Sequence, residues 1–365
     1  MKNIFHYISI LFSMLVILTA CKKMDSTYKQ FVVPDGIVYP GKANSPVANA
    51  GRNRVKISWL RGADPTLTAA KIFWNNFADS VEISIPPTGD TISYTINNLP
   101  EKSYLFVIKT YDAKGGVSVP VELFGASYGD VYQSSLLGRP VDAGILYPDS
   151  IVVKWGGADI SNGAYATEVK YTNVSGATQV KRFPVSDGAS TITDMKAGIT
   201  YQYRTVYLPD SLSIDTFYTD YVTSKPFLFS PKNWQIIDFS SQHPGDENLV
   251  TNVIDGSPNT RWHAWVGNSN YPHFFTVDMG IVRTITSFTL YRKTDDDRAC
   301  DTFKLLVSTD NVNWNDLGTF NFNRTINDGQ SYEIPTHPAA RYFKFIGLSG
   351  SQSYIVLGDI SAFGF

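Results

Sequence analysis

Cysteine is scarce in this sequence: only Cys21 and Cys300 occur among 365 residues. Two cysteines form one disulfide at most, so the chain is not a small disulfide-stapled scaffold and its stability has to come from hydrophobic cores. Histidine is almost as rare, and none of the five lies between His6 and His243. Residues 7–242 therefore cannot by themselves form a serine–histidine–aspartate or cysteine–histidine catalytic site.

Several catalytic signatures are also missing. The sequence has no glycine-rich dinucleotide or phosphate loop and no His-Glu-x-x-His zinc helix. A carboxylate pair that hydrolyses glycosides is defined by its spacing in the fold, so a sequence does not reveal it, but the usual scaffold for such a pair is not recognisable here. We therefore predict that the chain is not an enzyme.

Charge excess and helical periodicity are missing too. The 31 Lys and Arg residues nearly balance the 33 Asp and Glu residues, so the chain lacks the basic surface of a nucleic-acid binder. Apolar residues alternate with polar ones along most of the chain instead of recurring every 3.6 residues. Together with 21 Tyr, 22 Phe, 27 Gly and 19 Pro, this pattern predicts an all-β chain of two to four domains.

The N-terminal segment combines Lys2, an apolar run over residues 4–18 and the string Leu18-Thr19-Ala20-Cys21. The run is shorter than the roughly 20 residues of a membrane-spanning helix, so residues 1–20 are predicted to be a cleaved signal peptide. The string resembles the lipobox of bacterial lipoproteins. That resemblance implies acyl chains on Cys21, a lipidated tether over residues 21–30, and an outer membrane lipoprotein at the cell surface or periplasmic face.

Two later segments resemble each other. Strand-like alternation ends in Trp59 and again in Trp155, and a tyrosine follows each tryptophan, Tyr104 after 45 positions and Tyr201 after 46. A buried tryptophan and a corner tyrosine that bonds to nearby backbone are typical of immunoglobulin-like sandwiches. The segments resemble fibronectin type III repeats, at residues 31–138 and 139–229. The region is also similar to a family of uncharacterised two-repeat lipoproteins from polysaccharide-degrading Gram-negative bacteria, which implies architecture rather than chemistry.

A different pattern begins near Ser230. The string Asn252-Val-Ile-Asp-Gly-Ser-Pro-Asn-Thr-Arg-Trp-His263 resembles the Asp-Gly-x-x-x-Thr-x-Trp signature of discoidin, or coagulation factor V/VIII type C, domains. Further segments match in order, at residues 271–280, 285–291, 303–314, 340–345 and 357–363. The alternation along these segments independently indicates half-buried strands. The predicted fold is thus two fibronectin III-like β-sandwiches followed by a discoidin-like jelly-roll β-sandwich over residues 230–365.

Oxygen-bearing residues crowd the loop at residues 255–260, and calcium takes six to eight oxygen ligands. The discoidin resemblance implies a structural calcium ion, with ligands from Val253, Asp255, Ser257, Thr260 and Asp359. At the last position many relatives carry the longer glutamate. The alternative is an Asx-turn, in which Asp255 bonds its own backbone and no ion is present.

Sugar-binding relatives of discoidin hold their ligand in loops at one end of the sandwich, with an aromatic ring under the sugar and His, Arg or Asn on its hydroxyls. This resemblance implies seven candidate ligand-binding residues: His263, Trp265, Tyr271, Tyr291, Arg292, Arg298 and Tyr354. Trp265 lies beyond the signature in a loop rich in Gly, Asn and Ser, which favours a ligand contact. Trp262 lies in the signature and is predicted to be core. For each candidate, a solvated or packed side chain is the alternative.

These features predict a non-catalytic, membrane-anchored lipoprotein that captures extracellular glycan or polysaccharide through its C-terminal domain, with the two repeats as spacers. Two alternatives stay open. The discoidin-like domain of an adhesive or scaffold lipoprotein binds a protein partner in an outer-membrane uptake complex, or the domain is a sandwich that has lost its sugar site.

Overall fold

The structure is a computed structural model that describes residues 31, 36, 39–265, 267 and 270–365. The predicted signal peptide, Cys21 and the predicted tether lie outside the described residues. Within the described part of the chain, no helix has the length and apolar character needed to cross a membrane. The chain divides into two units, residues 1–129 and 130–365.

The first unit is a β-sandwich of two sheets. Its described part contains the strands β1 (Asn44–Gly51), β2 (Arg54–Leu60), β3 (Leu67–Trp74), β4 (Asp79–Ser84), β5 (Thr91–Asn97), β6 (Lys102–Asp112) and β7 (Val121–Ser127). Antiparallel pairing joins β1–β2–β5 into one sheet and β4–β3–β6–β7 into the other. Alternation along β2 buries Val55, Ile57 and Trp59 in the core between them, as the sequence predicts.

Tyr104 occupies the corner that the sequence predicts for it. Its ring is buried in the core of the first unit, and its hydroxyl donates to the carbonyl oxygen of Pro100 at 2.8 Å. The equivalent ring in the second sandwich, Tyr201, is also buried and stacks on Phe227 at 5.7 Å between centroids. Both tyrosines thus contribute large apolar rings to their cores.

The second unit opens with a short helix, α1 (Asp130–Ser134), and a second sandwich. The described strands of this sandwich are β8 (Val141–Leu146), β9 (Ile151–Trp155), β10 (Ala164–Thr172), β11 (Thr178–Pro184), β12 (Ala189–Ile192), β13 (Gln202–Tyr207), β14 (Phe217–Tyr218), β15 (Val222–Thr223) and β16 (Phe227–Phe229). One sheet has the order β11–β10–β13–β14, with β15 also paired to β13, and the other begins β12–β9–β8. Trp155 is buried between them and donates its indole N–H to Ser190 Oγ at 2.8 Å.

The C-terminal domain of the second unit is a sandwich of the jelly-roll type. Its described strands are β17 (Gln235–Phe239), β18 (Trp262–His263), β19 (His273–Tyr291), β20 (Cys300–Ser308), β21 (Asn315–Asn321), β22 (Gln330–Glu333), β23 (Ala339–Gly350), β24 (Val356–Leu357) and β25 (Asp359–Gly364). The long strand β19 serves both layers: its first half pairs with β17 and β23, and its second half pairs with β25 and β22. Gly280, with φ at 85°, lies at the irregular point where the pairing changes.

The core of this domain is aromatic. Phe345 stacks on both Phe275 and Phe303, and Trp262 meets Phe275 edge-on at 5.4 Å. Trp262 is fully buried, which confirms its predicted core role. Cys300 is a buried free thiol, and burial raises its pKa. Its side chain therefore packs in the core and lacks the thiolate character of a nucleophile.

One sheet runs through both parts of the second unit. Strand β16 pairs in parallel with β8, with Leu228 opposite Ile145, and antiparallel with β25, with Leu228 opposite Phe363. The sheet order is therefore β12–β9–β8–β16–β25–β19–β23–β20–β21. The predicted domain boundary near Ser230 follows directly after a strand that the two parts share. The prediction of an all-β chain built from sandwiches is confirmed.

Candidate ligand-binding site

Loops from four parts of the C-terminal domain meet at one end of its sandwich. They cover residues 241–248, 262–265, 293–298 and 351–356. Backbone hydrogen bonds join them: His243 N–H to His263 O at 2.7 Å, Ala264 N–H to Ile355 O at 3.0 Å, and Val356 N–H to Arg298 O at 3.0 Å. Because the backbones are tied together, the side chains that these loops carry are held by a rigid frame.

Four rings stand in sequence across this end. Trp265 stacks on His243 at 5.6 Å, His243 stacks on His263 at 5.1 Å with the rings 8° from parallel, and His263 meets Tyr354 at 5.0 Å. We call these four residues the aromatic row. Trp265 is 40% exposed while His263 is only 8% exposed, so the row runs from an open indole to a covered imidazole. Such a surface offers a flat apolar contact with polar atoms at its side.

His263 is a neutral histidine with an unused nitrogen. Burial lowers its pKa to about 4, and the positive charge of Arg298 acts in the same direction. Its Nε2 atom is buried and has no hydrogen-bond partner among the described residues. Buried polar atoms are normally paired, so this nitrogen is an unsatisfied hydrogen-bonding atom within the row.

A charged pair borders the aromatic row. Arg298 donates to Asp296 through Nε at 2.9 Å and through Nη2 at 2.6 Å, in the two-point geometry that arginine and carboxylate favour. Burial alone would raise the pKa of Asp296, but these hydrogen bonds hold it below its usual value. The side chains of Asp295 and Asp297 on either side are exposed. This turn therefore presents both donors and acceptors beside the rings.

Four of the seven predicted ligand residues come together here, namely His263, Trp265, Arg298 and Tyr354. Tyr271 lies behind them: its hydroxyl donates to the Tyr354 carbonyl oxygen at 3.3 Å, and its ring meets His273 edge-on. It supports the loop that carries Tyr354.

The other two predicted ligand residues lie apart from the row. Arg292 is buried, and its guanidinium donates to Asn327 Oδ1 at 2.7 Å and to the Arg324 carbonyl oxygen at 3.1 Å. It braces the loop at residues 293–298, because Asn327 also accepts from the Asp295 N–H. Tyr291 lines a separate cavity of about 230 Å³ beside Asp359.

Sequence reasoning missed two residues of this end, His243 and Arg261, and Asp296 also belongs to it. His243 joins the row from a loop twenty positions before His263, and Arg261 and Asp296 lie close enough to alter the pKa of His263. His243 precedes a Pro-Gly turn, which is a weak loop signal. No local motif connects it to Trp265.

The loop at residues 255–260 contains the Asx-turn of the alternative interpretation, and the calcium site stays a prediction. Asp255 Oδ1 accepts from the Ser257 N–H at 2.8 Å, which is the hydrogen bond of an Asx-turn. Asp359 is buried, accepts from the Gly256 N–H at 2.9 Å, and has its pKa raised to about 6 by burial, with the charge of Asp255 adding to the effect. Thr260 Oγ1 donates to the Ser257 carbonyl oxygen at 2.8 Å.

These residues fit a hard cation. The charge of Asp255 helps to raise the pKa of Asp359, and hydroxyl and carbonyl oxygens of the same loop lie nearby, which is the donor chemistry that calcium prefers. The described residues contain no cluster of three or more His, Cys, Asp or Glu side chains. A bound ion would therefore depend on backbone oxygens, including those of Val253 and Ser257, as well as on Asp255 and Asp359.

Residues 125–129 have the Gly-x-Ser-x-Gly spacing of a hydrolase nucleophile elbow, which sequence reasoning also missed. Ser127 is buried at the end of β7 and donates its hydroxyl to the Leu99 carbonyl oxygen at 3.0 Å. No histidine occurs in the described part of the first unit, so the described residues of that unit hold no serine–histidine pair.

Comparisons with known proteins match both parts of the chain. The DUF4998 family model, described as a domain of unknown function, matches residues 21–217, and the F5/8 type C domain model matches residues 236–358. The first of these spans more than half of the chain. No curated protein is significantly similar to the chain.

Solved structures resemble part of the chain. The C-terminal domain of a chitobiase from Bacteroides fragilis is 23% identical, with 38% of this chain and 97% of that chain covered and a TM-score of 0.35. CpGH89CBM32-5 from Clostridium perfringens, in complex with GalNAc-β-1,3-galactose, is 22% identical, with 38% and 99% covered and a TM-score of 0.35. The family 32 CBM of NanJ from C. perfringens, in complex with galactose, is 15% identical, with the same two shares covered and the same TM-score.

The two family matches leave residues 218–235 between them, and the junction near Ser230 that the sequence pattern marks lies in this interval. The fibronectin type III resemblance of the repeats stays a prediction, because the family that matches them is described only as a domain of unknown function. The chain belongs to the DUF4998 family, and its C-terminal part is an F5/8 type C domain.

Proposed function

We propose that the protein is a non-catalytic lipoprotein that is anchored in the outer membrane through Cys21 and binds extracellular carbohydrate at the aromatic row. The observation that carries this proposal is a row of rings that is open at the exposed indole of Trp265 and has the Arg298–Asp296 pair near His263, toward its other end. The F5/8 type C match supports it, because sugar-binding relatives of that domain use loops at one end of the sandwich.

The chemistry of this end suits a sugar ring. One face of a pyranose is lined by C–H groups and packs against an exposed indole, while its hydroxyls point sideways and both donate and accept hydrogen bonds. Arg298 supplies N–H donors, the carboxylates of Asp295 and Asp296 supply acceptors, and neutral His263 supplies Nε2. A neutral imidazole suits a neutral ligand, since no buried charge is left unpaired when the ligand leaves.

The remaining parts have supporting roles in this proposal. The first unit and the second sandwich act as spacers that hold the aromatic row away from the membrane. Acyl chains on Cys21 supply the anchor, because several chains together make membrane attachment stable where a single chain binds reversibly. Structural calcium at Asp255 and Asp359 would hold the loop at residues 255–260 against β25.

The test is a glycan array with the full mature chain, beside the variants Trp265→Ala and Arg298→Ala. Trp314→Ala is the matched control, because Trp314 is a partly exposed tryptophan of the same domain that lies under Lys344 and outside the row. We expect one class of glycan to bind, and both row variants to lose it while the control keeps it.

Silence across the array from a folded chain would contradict carbohydrate binding. It would favour the alternative proposal, in which this end of the domain binds a protein partner of an outer-membrane uptake complex. Capture of such a partner that survives Trp265→Ala would separate the two ideas, since the aromatic row is central only to the first.

A further inference from the structure

A cavity of about 420 Å³ lies inside the second unit, between the second sandwich and the C-terminal domain. The sandwich contributes Ile192, Met195 and Phe227 to its wall, and the C-terminal domain contributes Ile281 and Phe365. The volume is within the range of roughly 300 to 1,000 Å³ that is usual for small-molecule sites. No residue of the aromatic row lines it, so it is separate from the proposed carbohydrate site.

The same wall carries a buried cation without a counter-charge. Arg283 is only 6% exposed, and its Nε atom has no hydrogen-bond partner. No carboxylate lies within ion-pair distance of its guanidinium among the residues that the structure describes. Burial lowers its pKa to about 10. An unpaired buried charge is unfavourable, so arginine at this position calls for an explanation.

One face of the Arg283 guanidinium packs against the ring of Phe229. The Arg283 carbon Cζ lies 4.9 Å from the centre of the Phe229 ring, which is a cation–π contact. That contact uses one face of the guanidinium. The N–H groups lie in its plane and remain available to an acceptor, and two of them in parallel match the oxygens of a carboxylate.

The other charged side chains of the lining, Asp149 and Lys196, are exposed and belong to the rim of the cavity. The buried part of the wall therefore carries one positive charge and is otherwise mainly apolar. Val174 and Val282 extend this apolar surface outward, where both are more than half exposed. A complementary ligand has an apolar body and a single negative charge. A phosphate dianion fits less well, because a second buried cation is missing and Asp149 stands at the entrance.

We propose that this cavity binds an apolar molecule with one carboxylate, such as a medium-chain fatty acid, with the carboxylate on Arg283 and the chain against Phe227 and Met195. Pairing relieves the unsatisfied Arg283, and burying the apolar chain adds a favourable contribution for each methylene. Because the wall comes from both parts of the second unit, the ligand would also join the second sandwich to the C-terminal domain.

The test is calorimetric titration of the full chain with decanoate, decanol and decyltrimethylammonium, each below its micelle concentration. We expect decanoate to bind at one site, at least ten times more tightly than decanol, and the cationic probe not to bind. Arg283→Met keeps an apolar stem of similar length and removes the charge. This variant should weaken decanoate binding at least tenfold and change decanol binding less than twofold.

A blocking variant tests the position of the ligand. Ala197 is an exposed lining residue, so Ala197→Trp should fill the entrance and abolish decanoate binding, while Ala113→Trp, at an exposed alanine of the first unit, should not. Absence of decanoate binding to the wild-type chain, equal affinity for decanoate and decanol, or unchanged binding in Arg283→Met would overturn the proposal. If Arg283→Met does not fold, the comparison of the three probes and the Ala197→Trp result decide.

Discussion

His243 and His263 stack almost in parallel, with ring centres 5.1 Å apart, although twenty residues separate them in the sequence. Their loops are joined by a backbone hydrogen bond of 2.7 Å from His243 N–H to His263 O. The inner ring, His263, depends on staying uncharged, because protonation would place a second cation beside Arg298. This relationship makes the proposed binding end sensitive to acid.

We predict that acidification lowers the free energy of unfolding because His263 becomes protonated. Its pKa falls from an ordinary 6.5 to about 4 in the folded protein. Its contribution is therefore fully present above pH 6.5 and is lost as the pH falls through about 4, and the difference corresponds to about 3 kcal/mol. Asp359 changes the stability in the opposite direction over the same pH range, so the His263 contribution is measured by denaturant unfolding of the wild-type chain and of His263→Gln at pH 7 and pH 4. The variant His263→Gln should flatten this pH dependence, whereas His337→Asn, at an exposed histidine, should leave it unchanged.

Two tryptophans only three positions apart should behave in opposite ways. Trp262 is fully buried and donates its indole N–H to the Ser241 carbonyl oxygen at 2.9 Å, so Trp262→Ala should cost about 3 to 5 kcal/mol of unfolding free energy. Trp265→Ala should change stability by less than about 0.5 kcal/mol and abolish glycan binding. Denaturant titration and the array measure the two effects. A large destabilisation by Trp265→Ala would make its ring structural and remove the main support for the proposed site.

The stability of the Asp359→Asn variant, with and without calcium, should show whether the wild-type chain binds the ion. Its pKa is raised to about 6, so its contribution to stability is present below about pH 4 and is lost as the pH rises through 6. In chelator at pH 7, Asp359→Asn should therefore raise the unfolding free energy by up to about 3 kcal/mol. Calcium should stabilise the wild-type chain by mass action and leave Asp359→Asn unchanged. Equal melting temperatures of the wild-type chain with calcium and with chelator would remove the ion from the proposal.

The sheet shared by the two parts of the second unit determines which fragments of the chain should fold stably. A fragment that begins at residue 230 lacks β16 and exposes the edge of β25, whereas a fragment of residues 130–365 keeps the pairing of Leu228 with both Ile145 and Phe363. Unpaired edges promote association with other chains. We expect the short fragment to be less stable and to aggregate, as measured by denaturant unfolding and gel filtration. Equal stability of the two fragments would mean that β16 contributes little to the C-terminal domain.

Local pattern was enough to predict the architecture. Period-two alternation places Val55, Ile57 and Trp59 in a core regardless of what packs against them, because successive side chains of a strand face opposite ways. The signature around Trp262 indicated both the C-terminal fold and the core role of that ring. These features depend on neighbours along the chain, so the sequence alone determines them.

The binding end was decided by tertiary structure. Trp265, His243 and Tyr354 come from loops far apart in the sequence, and only strand pairing brings them together. Arg292 looks like a ligand residue in the sequence, yet its guanidinium is held by Asn327 from another loop. The unpaired Arg283 becomes visible only once two parts of the fold close a cavity around it. The alternation of a strand is a local property of the backbone, whereas a site depends on long-range contacts that no short segment encodes.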